Sequence, residues 1–100
     1  MDNSYPFGGE ATRNDALIIG TTSLQLSAAH ERQEIIITNI STAGQNISVS
    51  FGKEAAAGQG IFLLPGSSYY ATRAEGFRPS SEFVAAISSA VGGILAVFER

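Results

Sequence analysis

Residues 33–52 hold two runs of strand-forming residues joined by a short polar stretch, and this feature constrains the fold most. In the second run, apolar and polar residues alternate over positions 46–51, which is the period of a strand with one buried and one solvated side. In the first run, isoleucines fill positions 35–37, so that strand needs cover on both sides or a central place in its sheet. The pattern predicts a β-hairpin.

The length and composition indicate a single small domain with an uncharged polar surface. A chain of 100 residues is long enough for one two-layer core. Its residues are 44% hydrophobic and only 15% charged, whereas globular domains are usually about a quarter charged. The surface must therefore consist largely of Ser, Thr, Asn, Gln, Gly and Ala, a composition that suits contact with other proteins.

The charge pattern and the apolar segments argue against several classes of partner. The net charge is -3 and the six basic residues do not cluster, so we expect no nucleic acid partner. The first ten residues carry an acidic residue at position 2 and no apolar core, so we expect no secretory signal. The uncharged residues 83–98 are fewer than the ~20 that a membrane-spanning helix needs, and Ser and Gly interrupt them, so we expect no membrane insertion.

Short strands recur along the remainder of the chain. Residues 16–20, 22–27 and 60–70 add strands to the central pair, and residues 82–100 predict a terminal hairpin. In residues 22–27, Leu24 and Leu26 are expected to face inward and Ser27 outward. The sequence Pro65-Gly66 predicts a type II turn, because proline presets the first central torsion and glycine supplies the positive φ of the second.

The spacing predicts an all-β, single-domain antiparallel β-sandwich, either jelly-roll or Ig-like, with about seven or eight short strands. It covers residues 16–100 and is preceded by an extended N-terminal arm of residues 1–15, which contains Pro6 and two glycines but has no apolar period. In that arm Tyr5 and Phe7 flank the proline. They either anchor the arm to a neighbouring subunit or partner, or fold back on their own domain.

Residues able to support catalysis or bind a metal are sparse. His30 is the only histidine, and the chain has no cysteine. A zinc site needs three or four convergent ligands, and a lone loop histidine is usually solvated. Glu31 and Arg32 beside it could form an exposed ion pair, which contributes only ~0–1 kcal/mol. The sequence therefore predicts no catalytic, metal or cofactor site and no enzyme.

Two strands carry apolar residues on both of their sides, and this pattern predicts an interface instead of an active site. In a two-sheet domain each strand faces the core on one side only, so Ile36 and Ile40 of one strand, and Phe62 and Leu64 of another, would be exposed on the other side. An exposed apolar patch of that size normally marks an interface, so we expect a homo-oligomer. The alternative is that the domain's own loops, such as residues 71–81, cover the outer face.

The order of several segments resembles a known class of proteins. Arg32 precedes IIITNIS, and then come NISVSFG, AAAGQGIFLLPGSS and a final GGILAVFE. This order resembles small β-sandwich bacteriophage virion structural proteins, namely head decoration, head-fibre and tail-associated modules. The resemblance covers residues 23–99 and leaves out the first fifteen.

The resemblance implies a non-enzymatic function in the virion. It implies a capsid decoration or cement protein, made in the host cytoplasm, that binds the capsid surface as an oligomer. The partners would be further copies of the chain, forming a trimer if the protein sits at threefold lattice positions, and the major capsid protein or another virion protein. The alternative is a tail- or spike-associated module that binds a receptor or carbohydrate.

Overall fold

A computed structural model describes residues 13–73 and 79–100, and this part of the chain forms eight strands and no α-helix. The strands are β1 (Arg13–Ile19), β2 (Leu24–Ser27), β3 (Glu34–Asn39), β4 (Ile47–Phe51), β5 (Ile61–Leu63), β6 (Ser68–Thr72), β7 (Val84–Ser88) and β8 (Gly93–Glu99). The predicted number of strands and the all-β class are confirmed.

The strands form two antiparallel sheets of four strands each. The first sheet has the order β1-β8-β3-β6, and the second has the order β2-β7-β4-β5. Strands that follow one another along the chain lie in different sheets, with one exception. β4 and β5 are consecutive and pair with each other in the second sheet. One core, drawn from strands of both sheets, lies between them, which is consistent with the predicted β-sandwich.

Both predicted hairpins are wrong, although their strands are present. β3 pairs with β6 and β8, whereas β4 pairs with β5 and β7, so residues 33–52 cross between the sheets. The terminal strands β7 and β8 are divided between the sheets in the same way. The residue pattern that forms a strand is local. Whether the chain then turns back into the same sheet or crosses to the other sheet depends on the contacts that the connecting segment makes.

Asn39 supplies such contacts at the end of β3. Its fully buried side chain donates hydrogen bonds from Nδ2 to the carbonyls of Gln45 at 2.8 Å and Leu63 at 2.9 Å. Its Oδ1 accepts from the amide of Ser41 at 3.0 Å. These bonds tie the crossing segment to the second sheet, and they satisfy backbone groups that a buried connection would otherwise leave unpaired.

The core is built from the inward side of each strand. β3 and β8 alternate strictly between buried and half-buried positions, as period-two strands should. Each large apolar side chain kept from water contributes roughly 1.5–3 kcal/mol. The best-buried apolar side chains are Ile19, Ile35, Ile37, Ile47, Val49, Val84, Leu95 and Val97.

Two strands differ in detail from the sequence prediction. β1 begins at Arg13 and pairs with β8 along its whole length, so residues 13–15 belong to a strand and not to an extended arm. In β2 the register shifts between Gln25 and Ser27, which reverses the alternation. Ser27 therefore lies opposite Val84 and is buried, not outward as predicted, while Leu26 is buried as predicted. Leu24 lies opposite the core residue Ala86, on the predicted side, but is 39% exposed.

The predicted turn at Pro65-Gly66 is confirmed. The amide of Ser67 donates to the carbonyl of Leu64 at 2.8 Å, and Gly66 has a φ of 89°, the two signatures of a type II turn. The turn carries the chain from β5 in the second sheet to β6 in the first.

Candidate functional site

The outward-facing side chains of the first sheet form rows across its strands, because opposed residues of antiparallel strands lie side by side. Three such rows make up what we call the outer face. The aromatic row consists of Asn14, Phe98, Ile36 and Tyr70. The small row consists of Ala16, Ala96, Thr38 and Ser68. The aliphatic row consists of Ile18, Ile94 and Ile40, where the amide of Ile40 donates to the carbonyl of Ile94 at 3.0 Å.

The outer face has a trough between two ridges. The small row lies between rows of larger side chains, so its Ala, Thr and Ser residues form the floor of a shallow channel. A depression of about 90 Å³ lies there, and its lining residues are Asn14, Asp15, Ile36, Thr38, Ala96, Val97 and Phe98. The surface therefore has the relief needed to receive a row of apolar side chains.

Exposure and charge make the outer face unusual. Ile18 is 75% exposed and Ile40 is 44% exposed, and both belong to the aliphatic row. Single exposed apolar residues are ordinary, but a contiguous apolar patch marks a contact surface. None of the three rows contains a charged residue. The nearest charge is Asp15, which lines the depression from the edge strand and accepts from Arg13 Nε at 3.2 Å. Beyond the aromatic row, Arg100 Nε donates to Glu34 Oε1 at 2.6 Å.

The residues that the sequence predicted at an interface do not form one surface. Ile36 and Ile40 lie together on the outer face. Phe62 lies on the opposite side of the molecule, on the outward side of the second sheet facing Ser48, and is 48% exposed. Leu64 comes after it in the β5–β6 turn and is 52% exposed. Tyr5 and Phe7 lie outside the described residues.

The outward side of the second sheet is partly covered by its own loop. In residues 53–60 the amide of Ala55 donates to Ser23 Oγ at 2.9 Å, and the amide of Gly58 donates to Ser48 Oγ at 2.8 Å. Ser48 is consequently buried although it points away from the core. Cover by a loop of the same domain, the alternative to an interface, thus applies to part of the second sheet.

Sequence reasoning missed Ile18, Ile94 and Phe98, which complete the outer face. A signal for all three was present, because residues 16–19 of β1 and 94–98 of β8 are apolar at consecutive positions, as residues 35–37 of β3 are. β8 is also a central strand, paired with β1 on one side and β3 on the other. The excess apolar side chains of both central strands emerge on the same face.

The largest buried polar group is an ion pair between Arg32 and Glu99, which are 2% and 1% exposed. Arg32 Nε donates to Glu99 Oε2 at 2.6 Å. Its Nη1 donates to the carbonyls of Ser80 at 2.6 Å and Glu82 at 2.9 Å, and its Nη2 donates to the carbonyl of Ala28 at 3.1 Å. One guanidinium thereby joins β8 to two connecting segments.

The predicted exposed pair between Glu31 and Arg32 is wrong. The side chain of Glu31 is 85% exposed and lies 3.9 Å from Arg73, while Arg32 turns into the molecule. Glu99, its actual partner, lies 67 positions away along the chain. Proximity in sequence suggested the wrong acid, and no local pattern indicates the right one.

Ser27, His30 and Glu99 meet beside this ion pair without forming a catalytic triad. Ser27 Oγ donates to Glu99 Oε1 at 3.2 Å, and His30 Nε2 lies 3.4 Å from that Oγ and 3.5 Å from that Oε1. A triad places the imidazole between serine and acid, with one ring nitrogen for each. Here the same nitrogen faces both, and Nδ1 lies 2.9 Å from the carbonyl of Glu31. His30 is therefore half-buried in a structural cluster, not solvated as the sequence suggested.

Within residues 13–73 and 79–100, no group of three His, Asp or Glu residues is placed to hold a metal ion. No helix in the described part of the chain has the length and apolarity to span a membrane. Neither family models nor curated proteins match this sequence.

Proposed function

We propose that this chain is a non-enzymatic virion structural protein, most concretely a capsid decoration protein that binds the phage head surface as an oligomer. The observation that carries the proposal is the outer face, a contiguous apolar surface on the first sheet. Rows of uncharged, mostly apolar residues match the composition of interface centres, and the Glu34–Arg100 pair at one end matches a polar rim.

The strand order supports the same class of function. We infer a jelly roll and not an Ig-like sandwich, because the orders β1-β8-β3-β6 and β2-β7-β4-β5 are those of two interlocking Greek keys. Jelly rolls recur in viral capsid proteins, and also in lectins and cupins. This support is an analogy of fold, since one fold serves many functions, and it adds to the outer face without replacing it.

The buried polar contacts suit a domain that presents a surface. Arg32 holds the segments around Ala28 and Ser80, and Asn39 holds the connection after β3. Both side chains are engaged in bonds within the domain and are at most 2% exposed. They fix the loops around the sheets, so the first sheet can meet a partner with little rearrangement, which lowers the cost of binding.

Imaging of intact phage particles that carry a labelled copy of the chain tests the proposal. Decoration predicts many copies spread over the capsid lattice, bound to the major capsid protein or another shell protein. Complete absence of the label from particles would refute a virion role.

A second candidate is a receptor- or carbohydrate-binding module of a tail or spike. The observation that favours it is a polar depression of about 300 Å³, lined in part by Glu31, Arg73 and Ser81. Hydroxyl, carboxylate and guanidinium groups can together bind the hydroxyl groups of a sugar. Label found only at the tail, together with binding to host-surface glycan, would favour this candidate over decoration.

A further inference from the structure

We propose that the outer face joins two copies of this chain, face to face about a two-fold axis, with the aliphatic row of each copy seated in the trough of the other. This inference rests on the proposed function insofar as it treats the outer face as a contact surface. It goes further by naming the occupant, which is the same face of a second copy.

The relief of the face is complementary to itself. The aliphatic row is a ridge of Ile18, Ile94 and Ile40, and the trough beside it is floored by Ala16, Ala96 and Thr38. A two-fold axis parallel to the rows places each ridge over the other copy's trough in one operation. Two-fold interfaces require such reciprocity, because the same patch serves both copies.

The electrostatics permit this contact between identical molecules. Each copy carries a net charge of -3, so most pairings of like surfaces bring equal charges together. The aliphatic and small rows contain no charged residue. Two carboxylates border them, and both are paired: Asp15 beside the trough accepts from Arg13 at 3.2 Å, and Glu34 beyond the aromatic row accepts from Arg100 at 2.6 Å. The outer face can therefore meet its own copy without burying an unpaired charge.

The dimensions predict a weak dimer. Strands ~4.8 Å apart and rows ~6.8 Å apart give each face roughly 20 Å by 20 Å, so two faces bury at most about 800 Å² in total. That area lies at the small end of specific interfaces. We therefore expect a monomer–dimer equilibrium in the micromolar range, which a high local concentration on a shell would shift toward the dimer.

Sedimentation velocity of the full chain over a concentration series tests the proposal. Two variants target different halves of the contact: Ile18→Lys puts a charge on the ridge, and Ala96→Phe fills the trough without adding charge. Ile18 is 75% exposed, so its replacement leaves the core intact. The matched control is Phe62→Lys, at an exposed apolar position on the opposite sheet. Circular dichroism establishes that each variant is folded.

The expected result is a reversible dimer whose dissociation constant rises at least about tenfold in Ile18→Lys and Ala96→Phe and changes less than about twofold in Phe62→Lys. If Ala96→Phe does not fold, Ala16→Phe fills the same trough from the edge strand. A monomer at every concentration, a closed trimer, or a dimer lost only in Phe62→Lys would overturn the proposal. So would a dimer that forms only after deletion of residues 1–12, since those residues would then be the occupant.

These outcomes separate this inference from the proposed function. A dimer of the predicted kind whose label is absent from particles would refute the virion role and leave the interface standing. A label spread over the capsid, together with a chain that is strictly monomeric in solution, would refute the dimer interface and leave the virion role standing.

Discussion

Replacement of Arg32 by methionine tests whether its buried ion pair holds the domain together. Methionine is of similar length but donates no hydrogen bond, so the substitution removes the bonds to Glu99 and to the carbonyls of Ala28, Ser80 and Glu82. The carboxylate of Glu99, on a residue only 1% exposed, would lose its cationic partner. Loss of one member of a buried pair costs about 3–5 kcal/mol.

This loss is large beside the stability of a small domain, which is about 5–15 kcal/mol. Urea denaturation monitored by circular dichroism measures it. With an m-value of about 1–3 kcal/mol/M, the unfolding midpoint should fall by at least about 1 M, with little change in m. A variant that is already unfolded in buffer would exceed the prediction in the same direction.

Two further variants make the test specific. The double variant Arg32→Met/Glu99→Met removes both charges, so it should lose less stability than the two single losses added together. Asp15→Asn is the control, because its ion pair with Arg13 is exposed and should change stability by no more than ~1 kcal/mol. A loss below about 1 kcal/mol in Arg32→Met, or strict additivity in the double variant, would refute the role assigned to this pair.

Two other substitutions test the corners and turns of the fold by the same urea assay. Asn39→Ala leaves the buried carbonyls of Gln45 and Leu63 without their donor and should lower the free energy of unfolding by about 1–3 kcal/mol or more. An unchanged urea midpoint would contradict the role of Asn39 in holding the crossing segment. Gly60→Ala should cost at least about 1 kcal/mol more than Gly58→Ala, since both have positive φ but only at Gly60 would a Cβ lie 2.6 Å from a backbone oxygen. Equal losses of stability in the two variants would show that the close approach to the backbone oxygen does not destabilise the fold.

The positions of the strands could be read from the sequence because alternation is a local property. Strict alternation in β3 and β8, and the positive φ of Gly66 in its turn, are fixed by neighbouring residues. The isoleucines at positions 35–37 also required a central strand, and β3 lies between β8 and β6. Strand positions and turn types were accessible for this reason, since periodicity and turn chemistry determine them within a few residues.

The pairing of the strands could not be read in the same way. A polar stretch between two strands permits a hairpin or a crossing, and the crossing after β3 is tied by Asn39 to Leu63, 24 positions later. Arg32 meets Glu99 at a separation of 67 positions. The outer face likewise exists only once β1, β8 and β3 are adjacent, so Ile36 suggested an interface but could not reveal its neighbours Ile94 and Ile18.

Isoleucine methyl NMR tests most directly the central claim that the outer face is an interface between copies. Selective labelling reports the outer face through Ile18, Ile36, Ile40 and Ile94, the core through Ile35, Ile47 and Ile61, and the outward side of the second sheet through Ile87. We predict that raising the concentration from micromolar to millimolar shifts the methyl signals of the outer face, while those of the core and the second sheet stay in place. Signals that all remain fixed, or shifts centred on Ile87, would contradict the claim.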